Sequence, residues 1–410
     1  SNGSGSITTN NINVKDIDWQ AVVSSDTTMV SGRGYFVDSS GGTKTMTLPA
    51  SPSVGDRVAV VSLDGATNAV TIARNSSNIE GSTNNLLLQV NYAVTELSFT
   101  DASNGWVRTT NIGLLTYIAA TGGTVSTSGD YKIHTFNSSS NFVVTEASSS
   151  NHTAEYLVVA AGGGGGASGG GAGAGGFRTN YPSPDTGGVT ISAQTYPITV
   201  GAGGTGAPGS STSGTGNAGG TSIFSTITSA GGGGGASHSG SAGADGGSGG
   251  GAGRDGGQPG GSGNTPPVSP PQGNDGAQGP GSSGGPNSGS GGGGAGGAGQ
   301  RANGGSGGAG AGGNGGTGTA NSITGSSVTY AGGGGGGSMS NPTSGTGGSG
   351  GGGAGGTNVP GTSPSSTRKG SDGTANTGGG GGGGSGGGGD GGVGGTGGSG
   401  IVVIRYKYQN

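Results

Sequence analysis

Runs of consecutive glycine constrain this chain more than anything else in it. Five or six glycines stand together at 162–166, 231–235 and 332–337, each directly after a short apolar run. Glycine offers no side chain to a core and loses the most conformational entropy on ordering. A segment built this way is either disordered or folded by using the main chain itself as packing material. Of the 115 glycines only 14 precede residue 160, so the question concerns the second part of the 410-residue chain.

The remaining composition excludes several classes. Charged residues are 8% and apolar ones 26%, both low for a globular protein. The net charge is −4 and the longest basic run is Arg368-Lys369, which gives no basic face for nucleic acid. Cysteine is absent, excluding disulfides and thiolate metal sites. No stretch approaches the roughly 20 apolar residues of a spanning helix, so no membrane insertion is expected. The first residues, Ser-Asn-Gly-Ser-Gly without Met, suggest a processed product or a piece of a longer protein.

Residues 1–13 read as a connection to something upstream, and 14–113 as a β-rich module. Runs of Val, Ile, Thr and aromatics at 21–24, 34–38, 44–48, 57–62, 69–72, 86–90, 93–100 and 106–110 alternate as strands do. Asp64-Gly65 and Asn104-Gly105 are turn signals expected between paired strands. A second small β module is expected over 114–160, with strands at 114–119, 123–126, 131–136, 141–145 and 155–160. Residues 161–400 form the glycine-rich domain, and 401–410 a closing strand. No helical stripe appears. The expected fold class is all-β modules followed by a glycine-rich bundle framed by short strands at 189–191, 196–200, 222–228, 321–330 and 401–406.

Polyproline II geometry, left-handed with three residues per turn and a rise of about 3.1 Å, leaves every N–H and C=O pointing outward. Glycine copies of such a helix, polyglycine II, can hydrogen-bond side by side because nothing separates their backbones. Rods of seven to ten residues would span roughly 22–31 Å. Collagen is excluded, since the every-third glycine phase fails at Ala252 and Ser282. A flexible linker is the bland alternative, but a linker would not contain recurring apolar strands.

Glu155-Tyr-Leu-Val-Val-Ala-Ala-Gly-Gly-Gly-Gly-Gly, Tyr196-Pro-Ile-Thr-Val-Gly-Ala-Gly-Gly, Ser229-Ala followed by five glycines, and the terminal Gly400-Ile-Val-Val-Ile-Arg-Tyr resemble the glycine-rich domain of bacteriophage tail-fibre adhesins. Upstream, Trp19-Gln-Ala-Val-Val, Gly34-Tyr-Phe-Val-Asp, Thr47-Leu-Pro-Ala-Ser-Pro-Ser-Val-Gly-Asp, Asn75-Ser-Ser-Asn-Ile and Gly105-Trp are similar to a tail-fibre β module of marine and cyanobacterial phages. The resemblance implies a polyglycine II sandwich whose loops at one end touch a host receptor, either an outer-membrane protein or a glycan. It also implies a virion location, other virion fibre or tail proteins as partners, and a homo-oligomer, with a trimer favoured. The Pro-rich, less aromatic interruptions depart from that pattern. The alternative is an extracellular self-assembling filament or matrix protein. An antifreeze role fits less well, since no regular Thr array is present.

No enzyme is expected. His134, His152 and His238 lie on different segments without a carboxylate cluster, and the many G-x-G-x-x-G matches lack a βαβ context. No cofactor and no metal are expected. Receptor-binding candidates are loop residues Phe177, Arg178, Asn180, Tyr181, Asn264, Pro266, Pro267, Val268, Pro270, Met339, Asn341, Arg368 and Lys369. Aromatics could stack on a sugar and the arginines could pair with anionic groups. The same residues also fit solvated turns and covers for the sandwich edge.

Overall fold

The computed structural model describes residues 17–65, 67–112, 117–147, 152–182, 188–209, 214–237, 241–254, 256–281, 288–303, 310–338, 343–358, 368–386 and 392–408. The fold is all-β, as the strand alternation requires. It divides into two compact units, Ser1–Thr116 and Tyr117–Asn410.

The first unit is a wound coil. Strands β1 (Asp18–Trp19), β3 (Arg33–Val37) and β5 (Arg57–Ser62) pair in parallel in one sheet. The intervening strands β2 (Thr27–Thr28), β4 (Lys44–Thr47) and β6 (Val70–Ala73) pair in parallel in a second. Parallel neighbours need a crossover connection, and here each sheet supplies the crossover of the other. Asp64-Gly65 is therefore a corner between sheets and not a hairpin turn, and 21–24 contributes only an isolated bridge, Val23 to Val37. Antiparallel strands close the coil. β7 (Leu86–Leu88) pairs with β6, and β8 (Ala93–Asp101) and β9 (Gly105–Ile112) follow β5. Asn104-Gly105 does form the β8–β9 turn. Inside lie Tyr35, Val37, Met46, Leu48, Val58, Val60, Ile72, Leu88, Leu97 and Trp106.

The second unit begins with a β-sandwich. One sheet runs β10 (Ala119–Thr121), β13 (Ser140–Glu146), β17 (Thr195–Thr199), β18 (Ser222–Phe224), β19 (Ile227–Ser229). The other runs β11 (Thr124–Ser128), β12 (Tyr131–Phe136), β22 (Ile401–Lys407), β14 (Thr153–Val159), β15 (Phe177–Thr179), with β16 (Val189–Thr190) also on β14. The chain steps between sheets at Gly122-Gly123. Both have positive φ, and a Cβ on Gly122 would lie 2.1 Å from the Asn141 carbonyl oxygen, so this crossing requires glycine.

The segment 114–160 is thus not a module of its own. Its strands β12 and β14 flank the C-terminal strand β22, and its strand β13 pairs with β17 inside the glycine-rich region. Phe136, Phe142, Tyr196, Phe224, Val402, Ile404 and Tyr406 fill the space between the sheets. On the outer face of the second sheet, the hairpin β20 (Thr319–Asn321)–β21 (Val328–Tyr330) packs Ile323 and Tyr330 over Ile133, Leu157 and Val403. The expected single strands 222–228 and 321–330 are both hairpins.

From this sandwich the glycine segments run on as rods bonded through their main chains. The partners follow a three-residue rule. N–H groups of Gly162 and Gly165 donate to Gly398 and Gly395, those of Gly163 and Gly166 to Gly173 and Gly170, and those of Gly164 and Ala167 to Asn217 and Gly214. Successive residues therefore bond in three different directions, and every third returns to the same neighbour. The central rod, 169–176, donates to the rods containing Gly233, Gly293 and Gly381 and accepts from those containing Gly163, Ser248 and Gly334. Six neighbours surround it. A Cβ at Gly171 or Gly173 would lie 2.1 Å from the carbonyl oxygen of Gly334 or Ser248, which explains why side chains are excluded there.

Candidate functional site

Consecutive rods alternate in direction, so the described rod termini fall at two ends of the lattice. One end carries the sandwich. There Ala160 donates to Gly176, and Ala295 to Ala331. The other end is built where the lattice runs out of rod partners, and buried serine hydroxyls take their place. Ser288 and Ser338 both donate to the Gly310 carbonyl, and Ser385 donates to the Ser338 carbonyl. Main-chain bonds continue the network from Ser168 to Gly392 (3.2 Å), Gly392 to Ser385 (2.7 Å) and Ser385 to Arg368 (2.8 Å). The described residues flanking 210–213, 238–240, 282–287, 304–309, 339–342, 359–367 and 387–391 all lie at this serine end.

The sequence-derived candidates divide between the two ends. Phe177 and Arg178 are not in a loop but in β15, paired with β14. Phe177 donates its N–H to Gln272 (2.8 Å) and packs against the outer core, and Arg178 Nη1 donates to the Thr228 carbonyl (3.1 Å). Asn180 is buried, its Oδ1 accepting from the Tyr156 N–H (2.7 Å). Tyr181 covers the same core edge and lies 4.9 Å from the Arg405 guanidinium. These four side chains are committed to the sandwich.

Asn264, Pro266, Pro267, Val268 and Pro270 lie beside them at the sandwich end. Asn264 Oδ1 accepts from the N–H groups of Val268 (3.1 Å) and Gln272 (3.2 Å), so it organises its own loop. Pro266, Pro267 and Pro270 are exposed and Val268 is half-buried. Arg368 and exposed Lys369 are at the serine end, where Lys369 Nζ pairs with Asp372 at 3.1 Å. Met339 and Asn341 fall outside the described residues.

Sequence reasoning missed the residue that holds the proline loop in place. Gln272 is buried, donates through Nε2 to the Pro266 carbonyl (3.0 Å) and accepts at Oε1 from Ala230 (2.8 Å). It also missed that Arg254 and Arg301 share the serine end with Arg368. Isolated arginines at the boundary of a glycine run were the available signal. The aspartates had a readable role as well. Where an outer rod has no neighbour to bond, a carboxylate substitutes: Asp245 accepts from Ser262 (2.6 Å), Asp275 from Gly263 (2.7 Å) and Asp372 from Thr396 (2.8 Å).

Among the described residues no group of three His, Asp or Glu is placed to hold a metal ion, and no helix is long and apolar enough to cross a membrane. The serine end gathers rod termini with exposed Arg301, half-buried Arg368 and buried Arg254. A family model described as a glycine-rich domain matches residues 137–407. No curated protein matches the chain.

Proposed function

We propose, for a chain that belongs to the glycine-rich domain family, that it is a virion tail-fibre protein that attaches to the host cell surface through the serine end of its second unit. The observation that carries this reading is that the described residues flanking seven connecting segments, from 210–213 to 387–391, lie together at one end of the lattice, opposite the sandwich. A scaffold that holds its rods from both sides can exchange such segments without losing its core. We take the rods to be polyglycine II helices, a reading supported by the three-residue recurrence of bonding partners and the six neighbours of the central rod.

The partner is a surface protein or glycan, and exposed Arg301 and half-buried Arg368 suit anionic groups on it. The sandwich-end residues Phe177, Arg178, Asn180 and Tyr181 are assigned to the scaffold. The molecule acts as a binding protein and not as an enzyme. The test uses the fluorescently labelled full chain and intact marine bacterial and cyanobacterial cells. Replacing 282–287, 339–342 or 359–367 with Gly-Ser of equal length abolishes cell binding while circular dichroism stays unchanged. Retained binding in all three folded variants would contradict the reading, and open-ended polymerisation without cell binding would favour a filament protein.

A further inference from the structure

Among the described residues, the edges of the four larger sheets are protected with one exception. An exposed edge strand is a template for pairing with another chain, and proteins blunt it by shortness, bulges, charge or a cover. In the first unit β1, β2 and β7 are two or three residues long. There β9 is irregular against β8, carries Arg108 paired with Glu80, and bonds along its outer side to Asn78 and Glu80. In the second unit β10 is three residues with a shifted register, and β15 and β19 are tied down by Gln272 and Arg178.

Among the described residues strand β11 is neither short nor charged nor bulged, and only its Ser128 end lies beside another loop, the Gly325 turn. Thr124-Val125-Ser126-Thr127-Ser128 pairs with β12 on one side in unbroken register. Thr124, Val125, Ser126 and Thr127 are exposed, Val125 at 49%, and no charge, proline or bulge interrupts the strand. Its composition is β-branched and hydroxylic, which favours extended pairing.

We infer that β11 is a self-association edge whose partner is the β11 of a second copy of this chain, running antiparallel about a two-fold axis at Ser126. The strand is nearly its own complement in that register. Thr124 faces Ser128, Val125 faces Thr127, and Ser126 faces itself. Each alternate free N–H and C=O meets its counterpart, hydroxyl pairs face one another, and no charge opposes a like charge. The contact is isologous, so it closes at two copies. The resulting unit is a dimer and not the trimer expected from the sequence. It is independent of what the serine end binds.

Sedimentation velocity of the full chain tests this. Wild type sediments at twice the 37.5 kDa chain mass. Ser126→Lys and Ser126→Glu each place like charges on the axis and weaken self-association roughly tenfold or more, giving monomers with unchanged circular dichroism. Mixing the two variants restores the dimer. A wild-type monomer, a trimer, or a dimer indifferent to both substitutions would overturn the proposal.

Discussion

Arg405 on the C-terminal strand is ion-paired with Glu155, which lies 250 residues earlier in the chain. The Arg405 guanidinium also stacks 3.6 Å over the Tyr131 ring, and both members of the ion pair are largely buried. One contact thus joins β12, β14 and β22, closing the sandwich on either side of the entire glycine lattice. Glu155→Ala leaves the cation held between rings without its carboxylate. A loss of about 2–4 kcal/mol is expected, measured by urea unfolding, with Glu155→Gln less severe.

A methyl group separates lattice from coil. At Gly165 a Cβ would come 1.9 Å from the Gly382 carbonyl oxygen, whereas at Gly41 it meets nothing within 4 Å. Gly165→Ala must displace a neighbouring rod, and a loss of roughly 2 kcal/mol or more is expected. Gly41→Ala is expected to be within about 0.5 kcal/mol of wild type. Paired thermal melts check the contrast. Equal effects would mean that the rods do not pack backbone to backbone.

The strand framework was legible because alternation of Val, Ile and aromatics is a local property. What was not legible depended on partners far along the chain. Parallel winding of the first unit gives the same alternation as a meander, so Asp64-Gly65 looked like a hairpin turn. The β18–β19 hairpin turns at Ser225, which takes φ of 53° without glycine and so gave no turn signal. Gly325, at φ of 93°, did mark the β20–β21 turn but lay within a run read as one strand. Polar residues in a glycine-rich background pointed to binding loops, yet Arg178, Asn180 and Gln272 satisfy main-chain groups at the lattice boundary. Which end a turn occupies follows from rod count, and no single segment encodes it.

The carboxylate that substitutes for an absent rod can be removed individually. Asp372→Ala leaves the Thr396 N–H to water and frees Lys369. Because the site is exposed, only about 1 kcal/mol is expected, with faster amide exchange confined to 394–398. Asp372→Asn, which keeps an acceptor, restores protection.

The sandwich core titrates at both extremes. His134 donates from Nδ1 to the Gly122 carbonyl (2.7 Å), so its neutral Nε2 accepts from the Tyr406 hydroxyl at 3.0 Å. Burial holds the imidazole below its ordinary range, with Lys132 acting in the same direction and the Gly122 bond opposing. The folded state thus binds fewer protons than the unfolded one, and stability falls as pH drops below about 6.5. Burial pushes Tyr406 up to about 12. The unfolded chain then loses that proton first, and stability falls again above about pH 10. Unfolding midpoints from pH 4 to pH 11 in wild type and His134→Gln check both limbs, the acid limb being shallower in the variant.

Amide hydrogen exchange resolved along residues 160–400 tests the lattice most directly. The central rod 169–176 and its neighbours at 163–166, 232–236, 332–337 and 380–384 should exchange only through global unfolding, with protection as strong as that of β14 and β22. Exchange of those glycine amides at unprotected rates, beside a protected sandwich, would contradict the account.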